Sequence, residues 1–145
     1  MKKVEDIYPD GAQVERDVEC PFCDEERVAG ATVVREKVFA VEDLFPVTKG
    51  HLLIIPRRHT PDFFSMTKEE KECAFDLIDH LRLRIQSADP EIGGFNVGMN
   101  CGEVAGQTVM HAHIHLIPRR RGDTPDPSGG VRGVIPEKRK YLSGG

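Results

Sequence analysis

The sequence predicts one α+β domain built on a mainly antiparallel sheet. Its 145 residues fit a single domain, because domains commonly contain about 100–150 residues. One amphipathic helical segment lies between two pairs of β-rich segments, so the order along the chain is β, β, α, β, β. Strands that come in adjacent pairs on either side of a helix are typical of α+β proteins with antiparallel pairing.

The first pair of strands is predicted for residues 32–42 and 51–55. Both segments are rich in β-branched and large apolar side chains. The connection between them contains Pro46 and Gly50, which favour turns, so the two strands should form an antiparallel hairpin. Pro56 is expected to end the second strand, because proline has no N–H group to donate to a neighbouring strand.

The helix is predicted for residues 68–87. Thr67 and Glu70 form the S/T-x-x-E pattern of a capping box, which opens helices. Apolar residues then recur at helical spacing on one face. They are Ala74, Leu77, Ile78, Leu81 and Ile85. Asp89–Pro90 and Gly93–Gly94 supply the signals that end it.

The second pair of strands is predicted for residues 95–99 and 109–117, and Pro118 is expected to end the last strand. A glycine-containing loop at residues 101–108 connects them. Residues 1–17 are polar and without periodicity, which predicts a loosely attached N-terminal arm. Residues 119–145 are predicted to form a C-terminal tail, so the domain proper is assigned to residues 18–118.

Composition excludes several classes of function. The formal net charge is −4, so binding to bulk nucleic acid or to a membrane surface is not expected. No apolar run approaches the roughly 18 residues that a membrane span needs. The N-terminus has no apolar core of a secretory signal, so we expect a cytoplasmic protein with reduced thiols.

Cys20 and Cys23 form a Cys-Pro-Phe-Cys motif that suits either one metal ion or a redox pair. A redox pair needs a βαβ context, and the residues after Cys23 show no clear helix. The motif therefore favours a metal site. Cys73 and Cys101 lack such partners and are interpreted as small, partly buried side chains.

The segment from His111 to Ile117 is the most informative in the chain. On a strand, alternate side chains share one face, so His111, His113 and His115 should all point the same way. Same-face neighbours lie about 6.7 Å apart along a strand, so two of the histidines could share a metal ion. Three histidines and two cysteines are too many ligands for one tetrahedral ion, and at least one imidazole should be free for other chemistry.

The loop before this strand, which contains Gly106, Gln107 and Thr108, could bind phosphate through backbone N–H groups and a hydroxyl. Asn100 and Gly102 flank the same loop. Taken alone, this triplet is a weak signal, and an ordinary turn is its more common meaning.

These motifs together resemble the histidine triad (HIT) family. The family pattern is His-φ-His-φ-His-φ-φ, with φ an apolar residue, and residues 111–117 match it at every position. Gly106–Gln107 upstream and the segment from Gly50 to His59 match as well. The resemblance covers roughly residues 18–118. It implies a HIT-like fold with a mainly antiparallel five-stranded sheet, one long helix and a shorter helical segment.

The resemblance implies a nucleotide-binding hydrolase that cleaves a nucleoside monophosphate from a phosphoanhydride or phosphoramidate. His113 matches the nucleophile that attacks the α-phosphorus, and His115 matches a residue at the scissile phosphate. Thr108 stands where the family usually has serine. Other positions match groups that bind the nucleotide. They are Asp43 at the ribose, Leu44 at the base, and Asn100, Gly106 and Gln107 at the phosphates.

In the bacterial-type branch, the resemblance also implies a structural Zn²⁺ held by Cys20, Cys23, His59 and His111. A polyphosphate substrate could carry Mg²⁺. A purine nucleotide or dinucleoside polyphosphate is the expected substrate, and a homodimer the expected assembly. The chain lacks the tryptophan-bearing C-terminus common in the phosphoramidase branch, and its tail is more like that of dinucleoside polyphosphate hydrolases.

Three alternatives remain open on the sequence. A nucleotidyl transferase would use the same chemistry, although transferases of this superfamily commonly replace the third histidine with glutamine, and His115 is present here. A nucleotide-binding module with little turnover is the second. A redox protein that uses Cys20 and Cys23 is the third.

Overall fold

The computed structural model describes residues 2–4, 10–11 and 13–141. Its centre is a five-stranded sheet in which every neighbouring pair is antiparallel, and one long helix packs on it. The predicted α+β fold, with its antiparallel sheet, its long helix and a shorter helical segment, is confirmed. Within the described ranges, no helix is both long and apolar enough to cross a membrane.

The regular elements, in chain order, are β1 (Lys2–Val4), β2 (Val14–Arg16), α1 (Glu25–Ala29), β3 (Val33–Val34), β4 (Val38–Glu42), β5 (Leu52–Pro56), α2 (Lys68–Ala88), β6 (Ile92–Gly98) and β7 (Ile114–Arg120). Strands β3 to β7 form the main sheet in the spatial order β3-β4-β5-β7-β6. Strands β1 and β2 form a separate two-stranded antiparallel sheet. The last strand of the chain therefore lies inside the main sheet, between β5 and β6.

Strand alternation gives the main sheet two buried faces. One face packs against α2 and includes Ala40, Leu52, Ile54, Ile114 and Leu116. The opposite face packs against the Cys20–Cys23 turn and α1, and includes Phe39, Val41, Leu53 and Ile55. The second face is the one that positions the site described below.

Two predictions for the first half of the domain are wrong, one about a strand and one about a helix. Residues 32–42 are not one strand, because Arg35 N donates to Val38 O and folds the segment into the β3–β4 hairpin. A helix also follows Cys23, where none was expected. The Asp24 carboxylate accepts hydrogen bonds from the backbone N–H groups of Glu26 and Arg27, and this cap opens α1.

The last strand begins and ends later than predicted. Strand β7 starts at Ile114, so His111 and His113 precede it, and the three histidines are not on one strand face. In the preceding segment, Ala112 N donates to Thr60 O instead of to a sheet partner. Strand β7 also continues through Pro118. The Pro118 carbonyl accepts from Thr48 Oγ1, beyond the start of β5, whose first residue Leu52 pairs with Leu116, so no ladder bond needs the missing N–H.

The described part of the N-terminal arm is attached to the domain. Backbone N of His59 donates to Glu15 O over 2.7 Å. The Arg16 side chain is only 4% exposed, and its guanidinium donates to the carbonyl of Cys23. Strand β2 therefore contacts both the Cys20–Cys23 turn and the segment after β5. Residues 1, 5–9 and 12 of the predicted arm, and residues 142–145 of the predicted tail, lie outside the described residues.

Candidate functional site: a metal-ligand cluster beside a histidine-lined cavity

Four potential metal ligands converge on the sheet face opposite α2. They are Cys20, Cys23, His59 and His111, and their ligand atoms all lie within 4.8 Å of one another. Nδ1 of His111 lies 3.5 Å from each of the two Sγ atoms and 3.2 Å from Nδ1 of His59. Sγ of Cys23 lies 3.4 Å from Nδ1 of His59. Two thiols and two imidazoles this close together can bind a metal ion.

Hydrogen bonds around the cluster favour the protonation states that metal binding needs. Nε2 of the fully buried His111 lies 2.8 Å from the carbonyl oxygen of Pro56, to which it donates, and this leaves Nδ1 unprotonated for a metal. The hydrogen bond with Cys23, together with His111, lowers the pKa of the Cys20 thiol against the opposing effect of burial, and this lower pKa favours a thiolate. None of the four cysteines forms a disulfide, so both thiols of the cluster are available.

A cavity of about 370 Å³ opens beside this cluster. It brings together seven of the residues predicted to bind a nucleotide or to act in catalysis: Asp43, Leu44, Asn100, Gly106, Thr108, His113 and His115. The cavity is also lined by Pro21, Phe22, Arg27, Phe45, Leu53 and Val109.

Gln107 is the predicted nucleotide-binding residue that does not line this cavity. Its side chain is buried, accepts from Gly102 N, and donates to the carbonyl oxygens of Pro61 and Val109. These bonds hold the loop in shape. The loop reverses at Gly106, whose φ of 96° is readily available only to glycine.

His113 has a neutral ring with one free lone pair. Its Nδ1 lies 2.8 Å from the backbone carbonyl of His111, and a carbonyl only accepts, so Nδ1 carries the proton. Nε2 is then unprotonated. Burial lowers the pKa of the ring below its usual value, which keeps it neutral near pH 7. The ring packs edge-on against Phe22, with 4.9 Å between the centroids, and this contact restricts its rotation.

His115 is oriented by His51, a histidine for which the sequence predicted no role. Val47 N donates to Nδ1 of His51, so the proton of a neutral His51 is on Nε2. That nitrogen lies 2.9 Å from Nδ1 of His115. His115 therefore accepts at Nδ1 and carries its own proton on Nε2. Burial, with the neighbouring His113 and His51, lowers the pKa of His115 to about 4.

Asp43 completes this group, with its carboxylate 3.5 Å from Nε2 of His51 and 4.0 Å from Nδ1 of His115. His51 was visible in the sequence as part of the segment before β5. Its partners Asp43 and His115 lie 8 and 64 positions away in the sequence, so no local sequence pattern could predict these contacts. Phe22 and Arg27 were missed for the same reason, since only the packing of the 20–29 segment on the sheet brings them to the cavity.

Comparisons with known proteins agree with this geometry. A model of the HIT domain family matches residues 26–122. An uncharacterized HIT-like protein from Mycoplasma genitalium is 32% identical over 106 residues, which cover 69% of this chain and 72% of that protein. Protein hit from Bacillus subtilis is 39% identical over 84 residues, which cover 58% of this chain and 57% of that protein.

Solved structures show the same fold. A HIT family protein from Bacillus anthracis has a TM-score of 0.65 and 37% identity, with 72% of this chain and 75% of that chain covered. A Zn-bound histidine triad family protein from Mycobacterium smegmatis has a TM-score of 0.60 and 30% identity, with 66% and 73% covered. Since the family model spans more than half of the sequence and these structures share its fold, the chain belongs to the HIT domain family.

Proposed function

We propose that this protein is a nucleotide hydrolase that releases a nucleoside monophosphate through a covalent intermediate on His113. The observation that carries the proposal is the neutral His113 ring, with its Nδ1–H held by the carbonyl of His111 and its Nε2 unprotonated beside the cavity. An uncharged nucleophile approaches a phosphate without the repulsion that hydroxide meets. Membership of the HIT family supports the same reaction class.

In the first step, the Nε2 lone pair of His113 forms a bond to the α-phosphorus, and the bond from phosphorus to the leaving oxygen or nitrogen breaks. The leaving group takes its proton from solvent, and Nε2–H of the neutral His115, oriented by its contact with His51, hydrogen-bonds the departing atom. In the second step, water attacks phosphorus and gives its proton to solvent, and the phosphorus–nitrogen bond breaks. The products are a nucleoside monophosphate and the free His113 ring.

The remaining cavity residues fit the parts of a nucleotide. Asn100 and Thr108 come from one loop and supply an amide and a hydroxyl for the phosphate oxygens. Gly106 lies between them and donates its own N–H to Glu103 O, so its contribution is the absence of a side chain beside the phosphate. The Asp43 carboxylate is the acceptor for ribose hydroxyls, and Leu44 contributes apolar surface for the base. A purine nucleotide or a dinucleoside polyphosphate is the substrate class that this arrangement supports.

We assign the cluster of Cys20, Cys23, His59 and His111 to a structural zinc ion. Zinc at about 2.3 Å from sulfur and about 2.0–2.1 Å from nitrogen gives tetrahedral edges of about 3.5 Å for sulfur–nitrogen pairs and about 3.3 Å for nitrogen–nitrogen pairs. The observed edges of 3.4–3.5 Å and 3.2 Å support this assignment. Zinc with four protein ligands leaves no position for water, so its contribution would be to hold the chain segments together.

The test is the activity of His113→Ala on diadenosine polyphosphates and adenosine phosphoramidates, with separation of the products. We expect turnover to fall at least about 100-fold, because the nucleophile is gone, while AMP still binds. His80→Ala is the matched control, since His80 is exposed on α2 and away from the cavity. A near wild-type rate in His113→Ala would refute the proposal. Transfer of the nucleotide to an added phosphate acceptor, with no monophosphate formed in water, would identify a transferase instead.

A further inference from the structure

Arg27 places a cation in the wall of the cavity at a position that the proposed reaction does not use. It lies on α1, and its Nη2 donates to the backbone carbonyl of Glu42 over 3.0 Å. Glu42 is the residue directly before Asp43. The guanidinium is therefore tied to the chain segment that carries the proposed ribose and base contacts.

Apolar side chains surround this part of the cavity. Three of them, Pro21, Leu44 and Phe45, come from the same two segments as Arg27 and its acceptor, whereas Phe22 packs against His113. The groups suited to phosphate come from a different segment, the loop at residues 100–108 and the histidines after it. Apolar surface is what a base plane needs, so Arg27 lies at the nucleoside end of the cavity.

The protein leaves most of the guanidinium unpaired. Over residues 13–141, the Glu42 carbonyl is the one hydrogen-bond acceptor within reach of its N–H groups. An arginine has five such donors. Apart from the two histidines, Arg27 is also the one side chain with a cationic form among the cavity-lining residues. Donors therefore remain for a ligand.

We propose that Arg27 makes the site prefer nucleotides whose purine carries a 6-keto group, guanine and hypoxanthine, over adenine. Guanine presents two adjacent acceptors, O6 and N7, which match the parallel N–H groups of an arginine. Adenine presents N7 beside an N6 amino donor, and that donor opposes an N–H group of arginine. The inference rests on the proposed function, because it names the base that the same cavity accepts.

The test is isothermal titration calorimetry of the metal-loaded protein with GMP, IMP and AMP, which gives the Kd of each nucleotide. We expect GMP and IMP to bind about ten-fold more tightly than AMP, as a good arginine–purine pair allows. Binding of IMP measures the effect of the 6-keto group alone, because hypoxanthine lacks the 2-amino group of guanine. In Arg27→Met the difference between the keto purines and AMP should disappear. Arg84→Met is the matched control, since Arg84 is exposed on α2 and lines none of the cavity.

Equal affinity for all three nucleotides in the wild type would overturn this inference and leave the proposed function standing. A preference that survives in Arg27→Met would overturn it as well. Failure of all three nucleotides to bind would overturn the proposed function, and the inference with it. Metal content and circular dichroism of each variant establish that it is folded as the wild type is.

Discussion

At the scale of single residues, the three histidines of one motif do three different things because each has a different hydrogen-bond partner. His111 donates through Nε2 to Pro56 and offers Nδ1 to a metal. His113 donates through Nδ1 to the carbonyl of His111 and keeps Nε2 free. His115 accepts from His51 and keeps a proton on Nε2. In the proposed mechanism, these partners assign the roles of metal ligand, nucleophile and hydrogen-bond donor to three identical side chains.

The pH dependence of turnover follows from the His113 ring. The nucleophile must be neutral, and burial lowers its pKa below the usual 6.5. Activity should therefore persist below pH 6.5 and fall only when His113 becomes protonated. The measurement is the pH profile of kcat/KM with a dinucleoside polyphosphate, whose internal phosphates stay ionised over this range. An acid limb at or above pH 6.5 would contradict the assigned state of His113.

At the scale of elements, α2 begins at an ion pair between the buried Glu70 and the partly exposed Arg58. Glu70 is 3% exposed, accepts from the Thr67 backbone N–H, and receives two hydrogen bonds from Arg58, over 2.8 and 3.2 Å. Burial alone would raise the pKa of Glu70, but the hydrogen bonds from Arg58 and Thr67 outweigh it and lower the pKa below 4.5. The helix start is therefore linked to the segment that carries His59.

Replacement of Glu70 by glutamine should lower the free energy of unfolding by about 1–3 kcal/mol at pH 7, because it leaves Arg58 without its charged partner. Since the folded pKa is lowered, the ionised Glu70 stabilises the fold fully above the unfolded pKa. That stabilisation is lost as pH falls through the folded value. The difference between wild type and Glu70→Gln should therefore shrink below about pH 4.5.

Urea unfolding of both proteins at several pH values measures this difference. Any loss of bound metal at low pH would affect both proteins alike, because their potential metal ligands are the same. Glu69→Gln is the matched control, since Glu69 is exposed on the same turn. An equal effect of the two substitutions would show that the buried pair with Arg58 does not stabilise the helix start.

Local sequence signals predicted some elements and missed others. Helix α2 was predicted to within one residue at its end, because its capping box and apolar spacing are both local. The β3–β4 turn was missed because Arg35, Glu36 and Lys37 are not typical turn residues. The C-terminal extent of β7 was missed because the tolerance of Pro118 depends on where its neighbour β5 begins.

At the scale of the whole molecule, the four potential metal ligands come from three separate segments: the Cys20–Cys23 turn, the chain after β5 at His59, and the chain before β7 at His111. The sequence predicted these four ligands only through the family resemblance, because their spacing along the chain is too irregular to show them as one group. The fold brings the four side chains together. The contacts of His51 and Arg27 could not be predicted, because they depend on how distant segments pack.

Removal of the proposed zinc ion should destabilise the protein by several kcal/mol, because the ion would hold these segments in place. For a chain of this size we expect the Tm to fall by about 10 °C or more after chelation at neutral pH. Cys20→Ser should give the same loss, together with loss of about one zinc per chain. Cys101→Ser is the control, since Cys101 lies outside the cluster. A metal-free wild-type protein with an unchanged Tm would refute the structural role.

The most direct test of the central claim is the stereochemical course at phosphorus. A nucleotide substrate with a chiral α-phosphorothioate is hydrolysed in ¹⁸O-labelled water, and the configuration of the product is determined. Two successive in-line displacements, first by His113 and then by water, predict overall retention of configuration. Inversion would mean that water attacks phosphorus directly and that no nucleotidyl-His113 intermediate forms.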